Sequence, residues 1–485
     1  MKRLAAVLLV ICFAVAGCMR LGPDYRRPET GIETPGTYRS AEEAGTRQYI
    51  SNSRWWKEFD DPRLNTVVAN AMRNHPDIHK AAASVMEARA MVRQTRADQF
   101  PSLELNADAS RQQQSVVDFM AGGDYTTVNI DSFSTTLPAS FELDLWGRLS
   151  RATEAARADL LAAEENRRTI VQSLVAETVT QYFNIRSLEG QLRITRQMTE
   201  SYEKNLELVE GRYRQGLTSV LDVRQARRNL AQSEAEIPSL NQAIGKARQA
   251  LAVLQGHYPD AASEGKTEKK GFELPPPIPT GLPSELLNRR PDIRAAEASL
   301  EAACARIGVA KANRFPQITL TGSYGYTSNS LQSLFETESE LWRIASNIYQ
   351  PVFDAGKRKA AQKAAEARYS QQLSAYAKTV LDAFAKVEGA LLTREQQIKR
   401  RSRLMAFSDE AEATLETALD RYQRGLTDYL NVLDAQQAKF QADLNLVKTQ
   451  YAIYTNRVAL YRALGGGWDH LMESRTDTKR KDQNS

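Results

Sequence analysis

Apolar positions along the chain follow two different periods. Four segments alternate. Leu103, Leu105, Ala107 and Ala109 interleave with Glu104, Asn106, Asp108 and Ser110, and Phe133, Leu137, Ala139, Phe141, Leu143 and Leu145 interleave with Ser134, Thr136, Ser140, Glu142 and Asp144. Ile318, Leu320, Tyr324 and Tyr326 alternate with Gln317, Thr319, Ser323 and Thr327, while Trp342, Ile344, Ile348 and Val352 make a weaker fourth case. This pattern predicts strands over about 101–115, 131–146, 316–328 and 341–353, each with one apolar and one polar face and each near the ~9–11 residues of a tilted membrane strand. The second period is helical. The 65 residues from Arg148 to Arg212 hold no proline, so a continuous helix there reaches ~98 Å. Leu230, Ile237, Ile244 and Leu251 then recur every seven residues, with Ser233, Leu240, Ala247 and Leu254 between them, a heptad seam that predicts a coiled-coil hairpin. Pro238 predicts a bend in its second arm.

The chain repeats itself. His75-Pro76-Asp77-Ile78 returns as Arg290-Pro291-Asp292-Ile293 and Gln99-Phe100-Pro101 as Arg314-Phe315-Pro316, both 215 residues later (290 − 75). Arg212-Tyr213-Arg214-Gln215-Gly216-Leu217-Thr218 returns as Arg421-Tyr422-Gln423-Arg424-Gly425-Leu426-Thr427 at 209 (421 − 212), so the second copy is six residues shorter between its strands. Each copy runs short helix, strand, loop, strand, long helix, glycine turn, long helix. Repeat 1 is expected over 62–256 with its helical hairpin at 148–256, and repeat 2 over 283–465 with its hairpin at 356–465. A Pro-rich linker, 257–282, joins them, and a tail, 466–485, follows.

The amino terminus sets a compartment. Lys2 and Arg3 precede an apolar run from Leu4 to Ala14, and Val15-Ala16-Gly17-Cys18 follows, the layout of a bacterial secretory leader over 1–17. Small residues just before a cysteine resemble a lipobox, which makes Cys18 the expected lipidation site and 18–61 a lipidated amino-terminal segment. Met19 rather than Asp points to the outer membrane by family sorting rules. Several acyl chains at ~0.8 kcal/mol per buried methylene hold such a protein to lipid.

Beyond the leader no uncharged apolar run of ~18 residues occurs, so any further crossing must be made by strands of a closed barrel. Four strands are too few for one chain, since single-chain barrels start at about eight, and closure demands several copies. Two or three copies both satisfy the count. Composition changes little here. The balance of 64 basic against 59 acidic residues, +5 overall, has no clustered basic face and argues against nucleic acid. Three cysteines, Cys12, Cys18 and Cys304, make no disulfide framework. His75 and His79 lack a convergent ligand set, and the methionines do not cluster. Ala355-Gly356-Lys357 has Pro351 and Arg358 where a phosphate loop needs Gly and Ser or Thr. Neither an enzyme, nor a metal, nor a cofactor is expected.

Gly22-Pro23-Asp24-Tyr25, Trp55-Trp56 with Phe59, Asp61 and Pro62, Phe141 to Arg148, and Pro275 to Pro279 leading to Arg289-Arg290-Pro291-Asp292-Ile293 span nearly the whole mature chain. In these motifs the chain resembles the lipoprotein, NodT-like branch of the TolC-type outer-membrane efflux proteins, the outer membrane factors. The resemblance implies an α+β membrane protein: a homotrimer with a twelve-stranded β-barrel, four strands per chain, continued by a long periplasmic α-helical barrel. It implies an exit duct for drugs or other small molecules, served by a periplasmic adaptor and an inner-membrane pump, often of the resistance-nodulation-division class. A type I secretion duct and a non-conducting structural lipoprotein are the alternatives. The resemblance also places a gate at the periplasmic helix tips, here Gly216 to Val223 and Gly425 to Leu433. Leu430 and Asp434 match its constriction, with Tyr422 on the neighbouring turn. Gln437 stands where relatives often carry arginine, and Arg228 is the substitute cation. Adaptor contact is expected at Arg214, Gly216, Thr218, Arg424, Gly425 and Thr427, and interfacial aromatic girdles at Trp146, Trp342, Tyr324, Tyr326 and Phe353.

Overall fold

The computed structural model of the chain describes residues 20–28, 32, 36–39, 54–118, 124–259, 274–276, 278 and 283–466. Cys18, the leader, most of the linker and most of the tail lie outside the described residues. The elements, in order, are a 3-10 turn (Trp55–Phe59), α1 (Pro62–Asn74), α2 (Pro76–Ala97), β1 (Ser102–Leu103), β2 (Asn106–Asp118), β3 (Asp124–Leu143), α3 (Arg148–Arg214), α4 (Val220–Leu254), α5 (Pro283–Arg289), α6 (Pro291–Ala312), β4 (Gln317–Ser328), β5 (Glu340–Tyr349), α7 (Lys357–Gln423) and α8 (Tyr429–Ala463). Short 3-10 turns, Leu331–Ser333 and Thr337–Ser339, lie in the loop between β4 and β5. No described helix is long and apolar enough to cross a membrane.

The internal repeat is written in element lengths. Helices α3 and α7 are both 67 residues and start 209 apart (357 − 148). Helices α4 and α8 are both 35 residues at the same offset (429 − 220). Helices α2 and α6 are both 22 residues, 215 apart (291 − 76), and each opens on proline, whose missing N–H costs nothing in a first turn. Pro238 lies inside α4, which continues through it, on an exposed face.

The contacts sort the chain into two compact units: Met1–Thr30, Ser84–Glu164 and Ala295–Tyr376 form the first, and Gly31–Ala83, Glu165–Arg294 and Ala377–Ser485 the second. The first holds the whole sheet. Its strands are antiparallel in the order β1-β3-β4-β5, with β2 also on β3. Ser102 faces Ser140 and Asn106 faces Thr136 in one unbroken register. The assignment lapses at Glu104 because its partner Pro138 has no N–H to return; Glu104 N–H still donates to the Pro138 carbonyl at 3.0 Å. Thus β1 and β2 act as one strand, and the chain supplies four.

Several strand limits differ from the alternation. Strand β3 starts at Asp124, earlier than 131, because Val128 and Ile130 fall on the opposite face from Phe133 and Leu137, so the alternation changes phase there and pairing with β2 alone extends the strand. It ends at Leu143, before 146, because the Asp144 carboxylate accepts the Leu149 and Ser150 N–H groups at 3.0 and 2.8 Å and opens α3. Strand β5 likewise stops at Tyr349, before Pro351 and an Asp354 side chain that accepts from Gly356 N at 2.9 Å.

Residues 20–28 are fastened into the first unit. Arg151 is buried at 1% exposure and donates to Asp24 at 2.7 Å, Glu154 at 2.9 Å and the Leu21 carbonyl at 3.3 Å. Its guanidinium holds the Asp24 carboxyl below the ordinary value. Arg27 grips Glu297 through two bonds, at 2.7 and 2.5 Å. Leu21 N–H donates to the Trp146 carbonyl at 3.1 Å, beside Gly147. Gly22 takes φ +100°, and a Cβ there meets Gly308 Cα at 2.5 Å, so two backbones touch where only hydrogens fit.

The second unit packs the Trp55-Trp56 motif at its centre. Trp55 stacks on Tyr461 at 5.0 Å and Phe59 meets Phe183 edge-on at 4.8 Å. Asp61 caps α1 through Arg63 N–H at 3.0 Å while accepting from Tyr182 at 2.7 Å and Arg186 at 3.1 Å. Buried Arg457 pairs with Glu58 at 2.8 Å. These family-like residues are therefore packing groups.

Gly22→Ala is expected to destabilise the 20–28 clamp by about 1–3 kcal/mol, through a positive φ and a backbone clash together. Amide exchange across 20–28 then rises roughly ten- to a hundredfold while exchange in α8 stays unchanged.

Candidate functional site

Two places carry chemistry beyond packing. One is the sheet, whose register sorts its residues into two faces. Facing residues in antiparallel strands share a side. Leu103 lies across from Ala139, Ala139 from Gly322 and Gly322 from Ile344, and the rows above and below add Leu137, Tyr324 and Trp342, then Phe141 with Leu320, then Leu143, Ile318 and Ile348. This face is continuous apolar surface. In the isolated chain it lies open, with Leu103 70%, Trp342 71% and Ile344 83% exposed. From Phe133 to Leu143 is ten steps, ~33 Å along a strand, or ~25 Å of height at a tilt near ~40°, the thickness of a barrel's lipid-facing band. Above Phe133 the same face turns charged, with Arg111 3.4 Å from Asp131. The opposite face is mostly polar, with Asp108, Ser134, Thr136, Ser140, Thr319, Thr321, Ser323, Arg343 and Asn347, and with Ile130, Pro138, Leu341, Ala345 and Tyr349 among them.

The aromatic residues divide between edge and packing roles. Tyr324 and Tyr326 lie on the apolar face with ring centroids 6.0 Å apart, and Phe353 is 88% exposed just past β5. Trp146 is instead turned in, its indole N–H donating to the Pro316 carbonyl at 2.8 Å and its ring 5.0 Å from Phe315, where it joins the end of β3 to the start of β4.

The second place is the pair of helix tips in the second unit. Both turns end the same way. Gly216 and Gly425 take φ +73° and +72°, and Leu217 and Leu426 donate back to the carbonyls of Arg212 and Arg421 at 2.9 and 2.8 Å, a Schellman closure that needs the left-handed glycine. The restarts differ. Ser219 and Asp222 form a reciprocal capping box on α4, whereas Asp428 makes no side-chain cap on α8. Burial works against the charge on Asp222, but bonds from the Thr218 hydroxyl and from the Ser219 N–H and hydroxyl outweigh it and hold its pKa below the ordinary 3.8.

Behind the turns sits a small core: Val209, Val223 and Ala226 from the first hairpin, and Ala418, Tyr422, Tyr429, Val432, Leu433 and Ala435 from the second. Tyr422 and Tyr429 rings lie 5.5 Å apart. The Arg212 guanidinium lies 4.8 Å over Tyr422 and donates to the Gln423 carbonyl at 3.1 Å, tying one hairpin to the turn of the other. Burial pushes the Tyr429 phenol well above its ordinary pKa, and neither the Tyr422 nor the Tyr429 hydroxyl has a partner among the described residues.

The expected gate residues therefore separate. Tyr422 is 3% exposed and lies inside this core, so its ring does not project into solvent. Leu430 is 63% exposed, and Asp434, one turn on, is also exposed, as is Gln437. Arg228 is exposed on α4 and donates to Asn229 Oδ1 at 3.2 and 3.1 Å; within one chain it does not reach Asp434. Of the expected adaptor residues, Arg214, Gly216, Arg424 and Gly425 are exposed. Thr218 and Thr427 are half-buried, engaged in bonds to Asp222 and from Asn431, the latter 2.7 Å. Sequence reasoning missed Arg212, Tyr429 and Asp222; only the last had a local signal, Ser219 and Asp222 at capping-box spacing. Leu217, Val220, Leu221 and Leu426 add exposed apolar surface to the tips.

Elsewhere, Cys304 is buried, with its thiol pushed up by that burial, and His75 Nδ1 accepts from Asp77 N–H at 3.2 Å.

The outer membrane efflux protein family matches this chain over residues 67–257 and 282–466. The cation efflux system protein CusC of Escherichia coli O6:H1 is 35% identical over 466 residues, 95% of this chain and 98% of that protein. The toluene efflux pump outer membrane protein TtgI of Pseudomonas putida is 34% identical over 458 residues, 94% and 96%. The solved outer-membrane channel OprN superposes with a TM-score of 0.86 at 31% identity, covering 93% of this chain and 99% of its own. The four strands are thus one chain's share of a trimeric twelve-stranded barrel continued by a helical barrel, with the apolar face toward lipid and the polar face toward the lumen. Two-faced strands, paired helical hairpins and matches along both repeats lead to one conclusion: the chain belongs to the outer membrane efflux protein family and is the outer-membrane exit duct of an efflux pump.

Proposed function

We propose that this duct serves a tripartite pump, conducts drugs or other small molecules passively, and is closed at its helix tips until a periplasmic adaptor engages them. The observation that carries the reading is the two-faced sheet, because a hydroxyl-rich lumen behind a lipid-facing wall is needed for conduction and not for a tether. The lumen face favours a passive route, since it offers Ser, Thr and Asn side chains and, among the described residues, no convergent ligand set. CusC is named for cations and TtgI for toluene at almost equal identity to this chain, 35% and 34%, which supports cargo selection by the inner-membrane pump, of the resistance-nodulation-division class, rather than by the duct. A protein cargo, as in type I secretion, has no feature here that favours it.

Leu430 and Asp434 share an exposed face of α8 and form the constriction when three copies converge. Three carboxylates near one axis attract cations and repel one another, which calls for a neighbouring base. Arg228 of an adjacent copy supplies it, being exposed, with its hydrogen bonds in its own chain going to the neutral Asn229. Tyr422 acts from beneath, as part of the core on which α8 rests. The second hairpin is the one that yields: α8 lacks the capping box of α4, and two buried hydroxyls without partners among the described residues, each costing about 1–3 kcal/mol, lower the barrier to loosening it. Arg214, Gly216, Thr218, Arg424, Gly425 and Thr427, with the exposed leucines around them, form the adaptor surface.

Cys18 is the lipid anchor. The described segment that follows it begins at Arg20, which lies against Gly147 just past the end of β3.

In planar bilayers the wild-type trimer is expected to show a small, cation-preferring conductance that rises severalfold in Asp434→Ala. If neither trimer conducts even with adaptor present, the tether reading replaces the duct. At the tips, Asp222→Asn is expected to cost about 1 kcal/mol and raise amide exchange over 220–224 about fivefold, whereas Asp428→Ala leaves 429–433 unchanged. Because the Asp222 pKa is lowered on folding, its contribution is complete above the ordinary value of 3.8 and fades as pH falls through the folded value; exchange over 220–224 should rise only in that acid range.

A further inference from the structure

The sheet has two free edges, the β1/β2 edge and the β5 edge, at opposite ends of its strand order. We propose that these edges join between copies of this chain in a register that sets Asp108 of one copy against Arg343 of the next, a lumen-facing ion pair that closes each seam of the barrel. The proposal rests on the trimeric reading and goes beyond it by fixing which residues meet.

Unpaired edge groups are not tolerated in hydrocarbon, so each edge must take a partner, and the described residues hold no further strand. The stagger at each seam has few permitted values. It must be an even number of residues, because an odd shift turns apolar side chains into the lumen. It must also be equal at the three seams. With a rise of ~3.3 Å per residue and ~4.8 Å between strands, staggers of about two, four, six and eight residues tilt a twelve-stranded barrel by ~19°, ~35°, ~46° and ~54°. Barrel strands tilt by about 35–45°, which leaves four or six.

The direction follows from where the strand lies. Within one chain, Leu103, Ala139, Gly322 and Ile344 form one row. Shifting toward the end of β2 lays Glu340–Tyr349 along residues 102–111 for a stagger of about four, or 104–113 for about six, all in or between β1 and β2. Shifting the other way lays β5 over the end of α2, where there is no strand to receive it.

Both permitted registers make chemical sense. With the smaller stagger Arg343 faces Asp108 directly; with the larger it faces Ser110, with Asp108 its diagonal neighbour and still within reach of a long side chain. Neither Asp108 nor Arg343 has an ion-pair partner among the described residues of its own chain, and both are exposed there. On the lipid side Glu340 comes opposite or diagonal to Arg111, so the two edges carry opposite charges on both faces. Size is matched as well: Trp342 and Ile344 on β5 meet the small Ala107 and Ala109 region of β2, and Ile348 meets Leu103 or Leu105, continuing the apolar band across the seam.

Paired cysteines test the register in the full-length protein in membranes. Arg343→Cys combined with Asp108→Cys or with Ser110→Cys is expected to yield inter-chain disulfides, seen as a ladder to covalent trimer on non-reducing gels. Which of the two links reads the stagger. Arg343→Cys with Glu104→Cys, the unstaggered row, should not link. Arg343→Asp alone is expected to cost the protein its trimer, read by native mass, and Asp108→Arg with Arg343→Asp to restore it. Linkage through Glu104→Cys, or through none of the three pairs in a protein that remains trimeric, overturns the seam. Failure of the swapped pair to restore a trimer lost in Arg343→Asp overturns the charge role. Native mass of the unmodified protein other than a trimer sinks the trimeric reading itself, a separate result.

Discussion

Every backbone donor and acceptor of a strand that meets hydrocarbon must be hydrogen-bonded, and this chain carries four strands with two open edges. Closing a barrel is therefore a property of the assembly. The exposure of Leu103, Trp342, Ile344 and Ile348 in the single chain is the surface left for lipid, and the unpaired edges are the surface left for other copies. Even Pro138, which costs β3 a ladder bond where it faces β1/β2, is tolerated because its neighbours Ala139 and Leu137 keep the register on either side. Residues 20–28 serve the same end, since Gly22, Arg151 and the Leu21 bond to Trp146 lock the segment that follows Cys18 to the base of β3.

The helices pose a different question, how two copies of one design come to differ at their tips. Helices α3 and α7 match in length, as do α4 and α8, and both tips turn through the same glycine closure. Where they diverge, the change is small in sequence: Ser219 and Asp222 in one copy, Asp428 and Asn431 in the other. That exchange gives α4 a capping box and leaves α8 without a side-chain cap. A few such substitutions separate a hairpin closed by its own capping box from one whose turn is tied to the other hairpin by the Arg212 contact to Tyr422 and Gln423.

Much of this was legible from periodicity. Alternation from Leu103 and from Ile318 located strands because one face of each is apolar, and the internal repeat located both helical hairpins because Gly216-Leu217-Thr218 recurs as Gly425-Leu426-Thr427. The first part of β3 was silent because its apolar residues, Val128 and Ile130, are out of phase with Phe133 and Leu137, and it is defined only by its partner. Tip chemistry was half legible. Leu430 and Asp434 emerge exposed on α8, but Tyr422, which the family resemblance sets beside them, stands on the last turn of α7 with its ring against Tyr429 and Arg212, contacts that only the packing of the hairpins defines. The Arg212 contact had no sequence signal at all, because it joins residues more than 200 positions apart and depends on how two hairpins pack.

The same separation explains how a duct can serve unlike cargoes. Residues that face lipid are outward and apolar, the proposed closing contacts sit at strand edges and helix tips, and the lumen face is dominated by hydroxyl and amide side chains. Changing the cargo then requires no change in the strands, because a wide aqueous path discriminates weakly between solutes that fit it. Changing the partner bears instead on the tips, the adaptor surface proposed above, where Leu217, Leu426 and the flanking arginines are exposed. On that proposal, substitutions between relatives of different pumps should carry functional meaning at the seams and tips.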